Sequence, residues 1–167
     1  MALLVVLRHA QAVPAGAGPD HARPLTARGE DEARAVGRTL RERGISPDVV
    51  VSSDAARARR TAELVVADDA WPLVEDPDVY EASPARLGAV LERHAADAST
   101  TVLVCHEPGA SGLSVALAGP SSAPGAADRR AQVLGGLGTA CAAVLRWDDE
   151  HAQLLPASAD LVDVLGP

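Results

Sequence analysis

Two histidines and two arginines in this sequence stand at places where they could bind an anionic group together. Arg8 and His9 directly follow an apolar run, Arg57 comes shortly after a second run, and His106 directly follows a third. The planar guanidinium of arginine matches phosphate oxygens, and an imidazole can act as a nucleophile or proton carrier near neutral pH. If the four side chains converge, they predict a pocket for a dianionic group.

The three apolar runs are the elements that must position these residues. Residues 2–7, 48–51 and 101–105 are rich in Leu and Val and end in polar residues, which is typical of strands buried on both faces of a parallel sheet. The carboxyl ends of such strands meet at one edge, and this edge is where ligands bind in open α/β sheets.

Helices are predicted between the strands, over residues 26–43, 55–67, 83–95 and 108–117. Thr26 is expected to cap the first helix and Gly44 to end it. Residues 71–74 predict a short strand, and the Gly/Pro/Ser/Ala-rich stretch 120–138 predicts an irregular segment that is partly helical at best. A final strand over residues 140–147 is expected to pair with residues 151–155 through a hairpin tip at residues 148–150.

The constellation resembles the histidine phosphatase superfamily, whose fold is phosphoglycerate-mutase-like. The matching segments occur in the family's order and span most of the chain: Leu7–Ala10, Arg23–Gly29, Ser52–Glu63, Val79–Ala82 and Val104–Pro108. The resemblance implies an α/β fold, a three-layer α/β/α sandwich with a mostly parallel central sheet, and the length predicts a single domain over residues 1–167. The short chain and the segment Arg23–Thr26 look most like the SixA-type branch, whose members are phosphohistidine phosphatases.

The resemblance implies a role for each of the four residues. His9 would be the nucleophile that forms a phosphohistidine, Arg8 and Arg57 would clamp the phosphoryl oxygens, and His106 would donate a hydrogen bond to one of them. Arg59 and Arg60 lie on other faces of the helix that carries Arg57 and are expected to be solvated.

A proton donor for the leaving group is less clearly marked. Glu81 matches the position of the general acid in larger members of the superfamily, and Asp20 in the first loop is its rival. Arg23 could contact the bound anion or pair only with Asp20.

Two residues beside His106 depart from the family pattern. Cys105 precedes it where the short branch usually has Gly, and Glu107 follows it where Asn is common. Glu107 is expected to point away from the anion and to orient an imidazole. The remaining histidines, His21, His94 and His151, are expected to be surface residues.

Composition narrows the possible partners. The chain has 23 Asp and Glu against 15 Lys and Arg, and only 2% of its residues are aromatic, so no nucleic-acid partner is expected. No run is long enough to cross a membrane, and no leader segment is predicted. The two cysteines lack metal or disulfide spacing, which predicts free thiols, no metal site and a cytoplasmic protein.

These observations predict a phosphatase that needs no cofactor or metal and acts through a phosphohistidine intermediate. The expected substrate is a phosphohistidine on a phosphorelay-type protein, because a short chain leaves the pocket open to a protruding side chain. A small phosphomonoester is the alternative substrate. A non-catalytic phosphate-binding module is disfavoured, because a binder has no need for a nucleophile.

Overall fold

The computed structural model describes residues 2–16, 18–67, 69, 71–148 and 153–167 of the chain. In this part of the chain six strands form one sheet in the order β3-β2-β4-β1-β5-β6. Neighbours from β3 to β1 are parallel, whereas β5 is antiparallel to both β1 and β6. The strands are β1 (Leu3–Arg8), β2 (Val49–Ser52), β3 (Leu73–Glu75), β4 (Thr100–Cys105), β5 (Ala142–Arg146) and β6 (Asp160–Leu165).

Helices cover both faces of this sheet. They are α1 (Ala27–Glu42), α2 (Ala56–Val66), α3 (Pro84–Ala95), α4 (Gly109–Leu117) and α5 (Ala126–Leu134). Because successive strand side chains point to opposite faces, Val5 and Leu7 pack in one core with residues of α1 and α2. Leu4 and Val6 pack in a second core with residues of α3, α4 and α5. The three-layer α/β/α fold and the mostly parallel sheet are therefore confirmed.

The start of α1 is held close to the chain that follows β1. The Thr26 hydroxyl accepts a hydrogen bond from the Gly29 backbone N–H at 3.0 Å, as the predicted cap requires. Glycine is needed at position 29, because a Cβ there would lie 2.0 Å from the Gln11 carbonyl oxygen. This close approach anchors the loop that leaves the edge of the sheet after His9.

In the carboxyl-terminal third, one prediction is confirmed and one was wrong. The stretch 120–138, expected to be irregular and partly helical, is helical over α5 and irregular on either side of it. The helix forms because the Ala, Arg, Gln and Leu of residues 126–134 are good helix formers once Gly125, at φ +74°, has turned the chain. The partner of β5 is β6 rather than residues 151–155. Residues 153–155 are not a strand and run into Pro156, which cannot donate to a strand ladder. Asp149, Glu150 and His151, from the predicted hairpin, lie outside the described residues.

None of the helices in the described residues has the length and apolar character needed to span a membrane.

Candidate active site

The sheet order brings His9 and His106 together. His9 follows β1 and His106 follows β4, and these two strands are parallel neighbours in which Arg8 pairs with Cys105. The His9 backbone N–H donates to the Cys105 carbonyl at 3.0 Å. The two imidazole rings lie 5.0 Å apart between centroids, and both residues are buried. The edge predicted from the strand ends is therefore the edge where the histidines meet.

The first turn of α2 adds Arg57 to this pair. Arg57 is 3% exposed, and its Nε donates to His9 Nε2 at 3.1 Å. Its Nη2 lies 3.4 Å from His106 Nδ1. Arg59 and Arg60 instead face acidic residues at the surface, Arg59 at 3.9 Å from Glu63 and Arg60 in contact with Glu63 and Glu30. The geometry places Arg57, and neither of its neighbours, against the histidines.

Hydrogen bonds determine which nitrogen of His9 is free to react. The Nδ1 atom lies 2.8 Å from the Ala10 carbonyl oxygen, which can only accept, so Nδ1 carries the proton. The Nε2 atom accepts from Arg57 and is therefore unprotonated. Backbone contact thus holds His9 in the tautomer in which a nucleophilic lone pair would lie on Nε2.

Both imidazoles are neutral at physiological pH. Burial, together with the positive charges of Arg57, Arg8 and Arg23, lowers the pKa of His9 to about 4, against the opposing hydrogen bond to Ala10. Burial also lowers the pKa of His106 to about 3, helped by His9 and Arg57. A neutral His9 keeps its lone pair available for attack on phosphorus.

Two buried donors of the site have no partner in the described part of the chain. Arg57 can only donate, so His106 Nδ1 accepts from it and Nε2 carries the proton. This His106 Nε2 atom and the Nε atom of Arg8 are both buried without a hydrogen-bond acceptor. Leaving a buried donor unpaired costs free energy, on the order of 1–3 kcal/mol each. An anion bound beside them would supply the acceptors.

The guanidinium of Arg8 is held by a loop that precedes β5. Its Nη1 donates to the Leu137 carbonyl at 2.7 Å. Leu137 lies between α5 and β5 in the glycine-rich stretch 135–138, where Gly136 adopts φ +94°. Arg8 thus adds a second positive charge beside His9.

The Asp20 carboxylate is hydrogen-bonded to the Arg57 guanidinium in this structure. Its Oδ2 atom accepts from Arg57 Nη2 at 2.9 Å and from the Tyr80 hydroxyl at 2.8 Å. Its Oδ1 atom accepts from Arg23 Nε at 2.7 Å. The Tyr80 hydrogen bond, with Arg23 and Arg57, lowers the pKa of Asp20 to about 2, so the carboxyl is ionised at neutral pH. Arg23 pairs with Asp20 and with the Val13 carbonyl, at 2.7 Å in each case.

Tyr80 is the site residue that the sequence analysis missed. Its ring meets the His106 ring edge-on at 5.3 Å, and the Arg57 guanidinium carbon lies 5.7 Å from its centroid. Tyr80 is the one tyrosine of the chain and directly precedes Glu81, and these two facts could have identified it as a candidate site residue. Its segment is held against α4, because a Cβ at Gly109 would come within 2.4 Å of the Ala82 carbonyl oxygen.

Glu81 does not join the cluster. It is exposed, its backbone has φ +47°, and within the described residues it makes no hydrogen bond or ion pair. The structure therefore brings together His9, Arg57, His106 and Asp20, with Arg8 and Arg23 beside them, and leaves Glu81 at the rim.

Glu107 points away from the two imidazoles. Its Oε1 atom accepts from the Ser111 hydroxyl at 2.5 Å and from the Leu137 backbone N–H at 2.8 Å. Its Oε2 atom lies 3.4 Å from the Ser111 backbone nitrogen. The expectation that Glu107 orients an imidazole is wrong, because the carboxylate is already used by the first turn of α4 and by the loop before β5.

Two of the histidines expected to be plain surface residues have specific partners. His21 Nε2 lies 2.8 Å from Asp54 Oδ1, and its ring meets Tyr80 edge-on at 4.9 Å, at the border of the site. His94 is half-buried, with Nε2 at 2.7 Å from Asp76 Oδ2. His151 lies outside the described residues.

The described residues contain no group of three or more His, Cys, Asp or Glu side chains placed to hold a metal ion. Cys105 and Cys141 are free thiols, and burial raises the pKa of both.

Comparison with known proteins connects this geometry to a family. The model of the histidine phosphatase superfamily (branch 1) matches residues 4–85. An uncharacterized protein of Mycobacterium tuberculosis is 33% identical over 156 residues, which cover 93% of this chain and 96% of that protein. The solved structure of a candidate phosphohistidine phosphatase, SixA, from Nakamurella multipartitia is 31% identical, with a TM-score of 0.83 over 99% of this chain and 96% of that chain. A candidate SixA from Agrobacterium tumefaciens is 26% identical, with a TM-score of 0.80 over 99% of both chains. The chain therefore belongs to the histidine phosphatase superfamily.

Proposed function

We propose that this protein is a phosphatase that removes phosphate from a phosphohistidine on a phosphorelay-type protein, through a phosphohistidine formed on His9. The observation that carries the proposal is the environment of His9 Nε2. This unprotonated nitrogen lies 3.1 Å from Arg57 Nε, beside a second imidazole that has a buried, unpaired donor. The arrangement combines a nucleophile with donors for the charge that develops on a transferring phosphoryl group.

The reaction takes place in two displacements. In the first, the His9 Nε2 lone pair forms a bond to phosphorus while the bond between phosphorus and the leaving group breaks. In the second, a water molecule attacks the phosphorylated His9, whose Nε2 takes back its electron pair as phosphate leaves. Arg8, Arg57 and the His106 Nε2–H contact the equatorial oxygens throughout. When substrate enters, Arg57 exchanges its contacts with Asp20, and its Nε–H contact with His9 Nε2, for the phosphoryl oxygens, which frees the Nε2 lone pair for attack.

The protonation of the acidic groups favours phosphohistidine over an alkyl phosphate. Asp20 is ionised beside Arg57, and Glu81 is exposed and makes no hydrogen bond to the cluster in the described residues, so neither stands ready to protonate an alkoxide. A phosphohistidine whose other ring nitrogen carries a proton needs no such donor, because the N–P bond then breaks to release neutral imidazole. An ionised Asp20 carboxylate would accept a hydrogen bond from that N–H group.

Two further observations support a protein substrate in the cytoplasm. The solved structure from Nakamurella multipartitia, which matches 99% of this chain and 96% of its own length, is that of a candidate phosphohistidine phosphatase. The free thiols Cys105 and Cys141 suit a reducing compartment.

A substrate screen tests this proposal. A phosphohistidine-bearing phosphotransfer domain, p-nitrophenyl phosphate and sugar phosphates are compared by kcat/KM, with the expectation that the phosphoprotein is processed fastest. If sugar phosphates are turned over far faster, the protein is a small-molecule phosphomonoesterase with the same chemistry.

The covalent step is tested separately. Quenching without acid, followed by mass spectrometry, should place the phosphoryl group on His9, and His9→Ala should remove nearly all turnover while leaving the fold intact. Activity should persist in EDTA and should be inhibited by vanadate, which mimics five-coordinate phosphorus. Retained activity in His9→Ala, or a strict need for Mg²⁺, would contradict this mechanism.

A further inference from the structure

Glu107 and Arg8 are connected through a single residue, Leu137. The Leu137 backbone N–H donates to Glu107 Oε1 at 2.8 Å, and its carbonyl accepts from Arg8 Nη1 at 2.7 Å. The Ser111 hydroxyl donates to the same Glu107 oxygen at 2.5 Å, which fixes the carboxylate to the first turn of α4. The same Leu137 N–H lies 3.1 Å from Ser111 Oγ, so Glu107, with Ser111 fixed to it, holds the amide side of the residue whose carbonyl faces Arg8.

Arg8 depends on that carbonyl for its orientation. Within the described part of the chain, the Leu137 oxygen is the one hydrogen-bond acceptor of the Arg8 guanidinium, since the Nε atom is buried without a partner. The stretch that presents the oxygen contains Gly135, Gly136 and Gly138, and glycine gives a loop conformational freedom. The Leu137 side chain is buried, but a side chain alone does not fix the rotation of the adjoining peptides.

We propose that Glu107 is a positioning residue, which holds the Leu137 loop so that Arg8 is aligned on the phosphoryl group. This rests on the proposed function only in taking Arg8 as a ligand of the anion. The length of the side chain is what matters for this role, because it brings Oε1 to 2.8 Å from the Leu137 nitrogen. A carboxylate or an amide oxygen at that position can accept from the Leu137 N–H. The negative charge is not required, because the donors are backbone and hydroxyl groups.

Three substitutions at position 107 separate reach from charge. Glu107→Gln keeps the reach and removes the charge, whereas Glu107→Asp keeps the charge and shortens the reach; Glu107→Ala removes both. Vanadate binding, measured by calorimetry, and kcat/KM for p-nitrophenyl phosphate should fall about tenfold in Glu107→Ala and Glu107→Asp, which equals about 1.4 kcal/mol. Glu107→Gln should stay within about twofold of the unmodified protein. Glu63→Ala, at a half-buried acidic residue of α2 that pairs with Arg59 and Arg60, is the matched control and should change neither quantity.

A double-mutant cycle with Arg8→Ala tests whether the effect passes through Arg8. In the Arg8→Ala background, Glu107→Asp should change vanadate binding by less than about twofold, because no guanidinium remains to be aligned. Equal losses in both backgrounds, or a Glu107→Gln variant as impaired as Glu107→Asp, would overturn the proposal. If Glu107→Ala does not fold, the Asp and Gln variants carry the same comparison.

Vanadate binding does not require turnover, so the two proposals fail in different ways. A protein that hydrolyses no phosphorylated substrate but shows the coupling would refute the proposed function and support the positioning role. Turnover through His9 without coupling between Glu107 and Arg8 would refute the positioning role alone.

Discussion

The neutral state of His9 has a measurable consequence for the stability of the fold. An unfolded histidine takes up a proton near pH 6.5, whereas in the folded protein burial and the neighbouring arginines hold the pKa of His9 at about 4. Between these two pH values the unfolded chain binds more protons than the folded chain. The free energy of unfolding must therefore fall as the pH is lowered from 6.5 towards 4.

The size of this loss follows from the two pKa values. Fully developed, below pH 4, it amounts to about 3 kcal/mol, because each pKa unit corresponds to about 1.4 kcal/mol. Between pH 7.5 and pH 5 the His9 contribution is about 2 kcal/mol. His9 is 8% exposed, so solvent screening reduces this figure little.

Urea unfolding of the unmodified protein and of His9→Gln, in buffers free of phosphate, measures the effect. Most other titrating groups act equally on both proteins, so the difference between the two pH dependences reports His9 together with its effect on the pKa of His106. The unmodified protein should lose about 2 kcal/mol more than His9→Gln between pH 7.5 and pH 5. His21→Gln, which replaces a histidine with a 44% exposed side chain, is the control and should follow the unmodified protein more closely. Identical pH dependences for the unmodified protein and His9→Gln would refute the claim that the folded protein keeps His9 neutral.

Three further predictions concern the anion site. Arg57→Ala should lower kcat/KM by roughly 100- to 1,000-fold, as expected for removal of a preorganised donor. Arg59→Ala, at the surface of the same helix, should stay within about twofold. Equal losses in the two variants would mean that the buried contacts of Arg57 give it no special role in turnover. Asp20→Asn should lower the inhibition constant of orthophosphate, because the substitution removes the negative charge that is hydrogen-bonded to Arg57 and Tyr80. An unchanged or higher inhibition constant would show that Asp20 does not compete with the anion. If Glu81 supplies a proton to poor leaving groups, Glu81→Gln should strongly reduce the steady-state rate of alkyl phosphate hydrolysis. The same substitution should reduce the rate for a phosphohistidine protein least. If only Asp20→Asn shows this pattern, the proton donor is Asp20 in the first loop.

Sequence patterns were sufficient for the parallel part of the sheet and for the meeting of the two histidines. Runs of Leu and Val buried on both faces have a strong signal, and parallel strands bring their carboxyl ends to one edge whatever the details of the loops. The position of Arg57 after such a run suggested it, and the resemblance to the family selected it over Arg59 and Arg60. Patterns failed at the edge of the sheet, where residues 151–155 were expected to pair with β5 and the strand Asp160–Leu165 does so instead.

Side-chain partners within the site were decided by the tertiary structure. The number of residues between two positions does not predict the path of the loop from Val13 to Pro24. This loop returns to the edge of the sheet, where the Asp20 carboxylate accepts hydrogen bonds from Arg57 and Tyr80. The same holds for Glu107, whose neighbour in the chain is an imidazole but whose partners are Ser111 and a residue 30 positions away, Leu137.

The sequence by itself determined which residues could do chemistry here and which edge of the sheet they would share, because strand burial and strand direction are local, periodic properties of the chain. Only the tertiary structure decided the state of those residues. The tautomer of His9 depends on the Ala10 carbonyl, its pKa depends on burial among Arg57, Arg8 and Arg23, and the orientation of Arg8 depends on a loop that lies 129 residues further along the chain. Hydrogen bonds and desolvation act through space, so they exist only once the packing of the helices against the sheet has brought distant segments into contact.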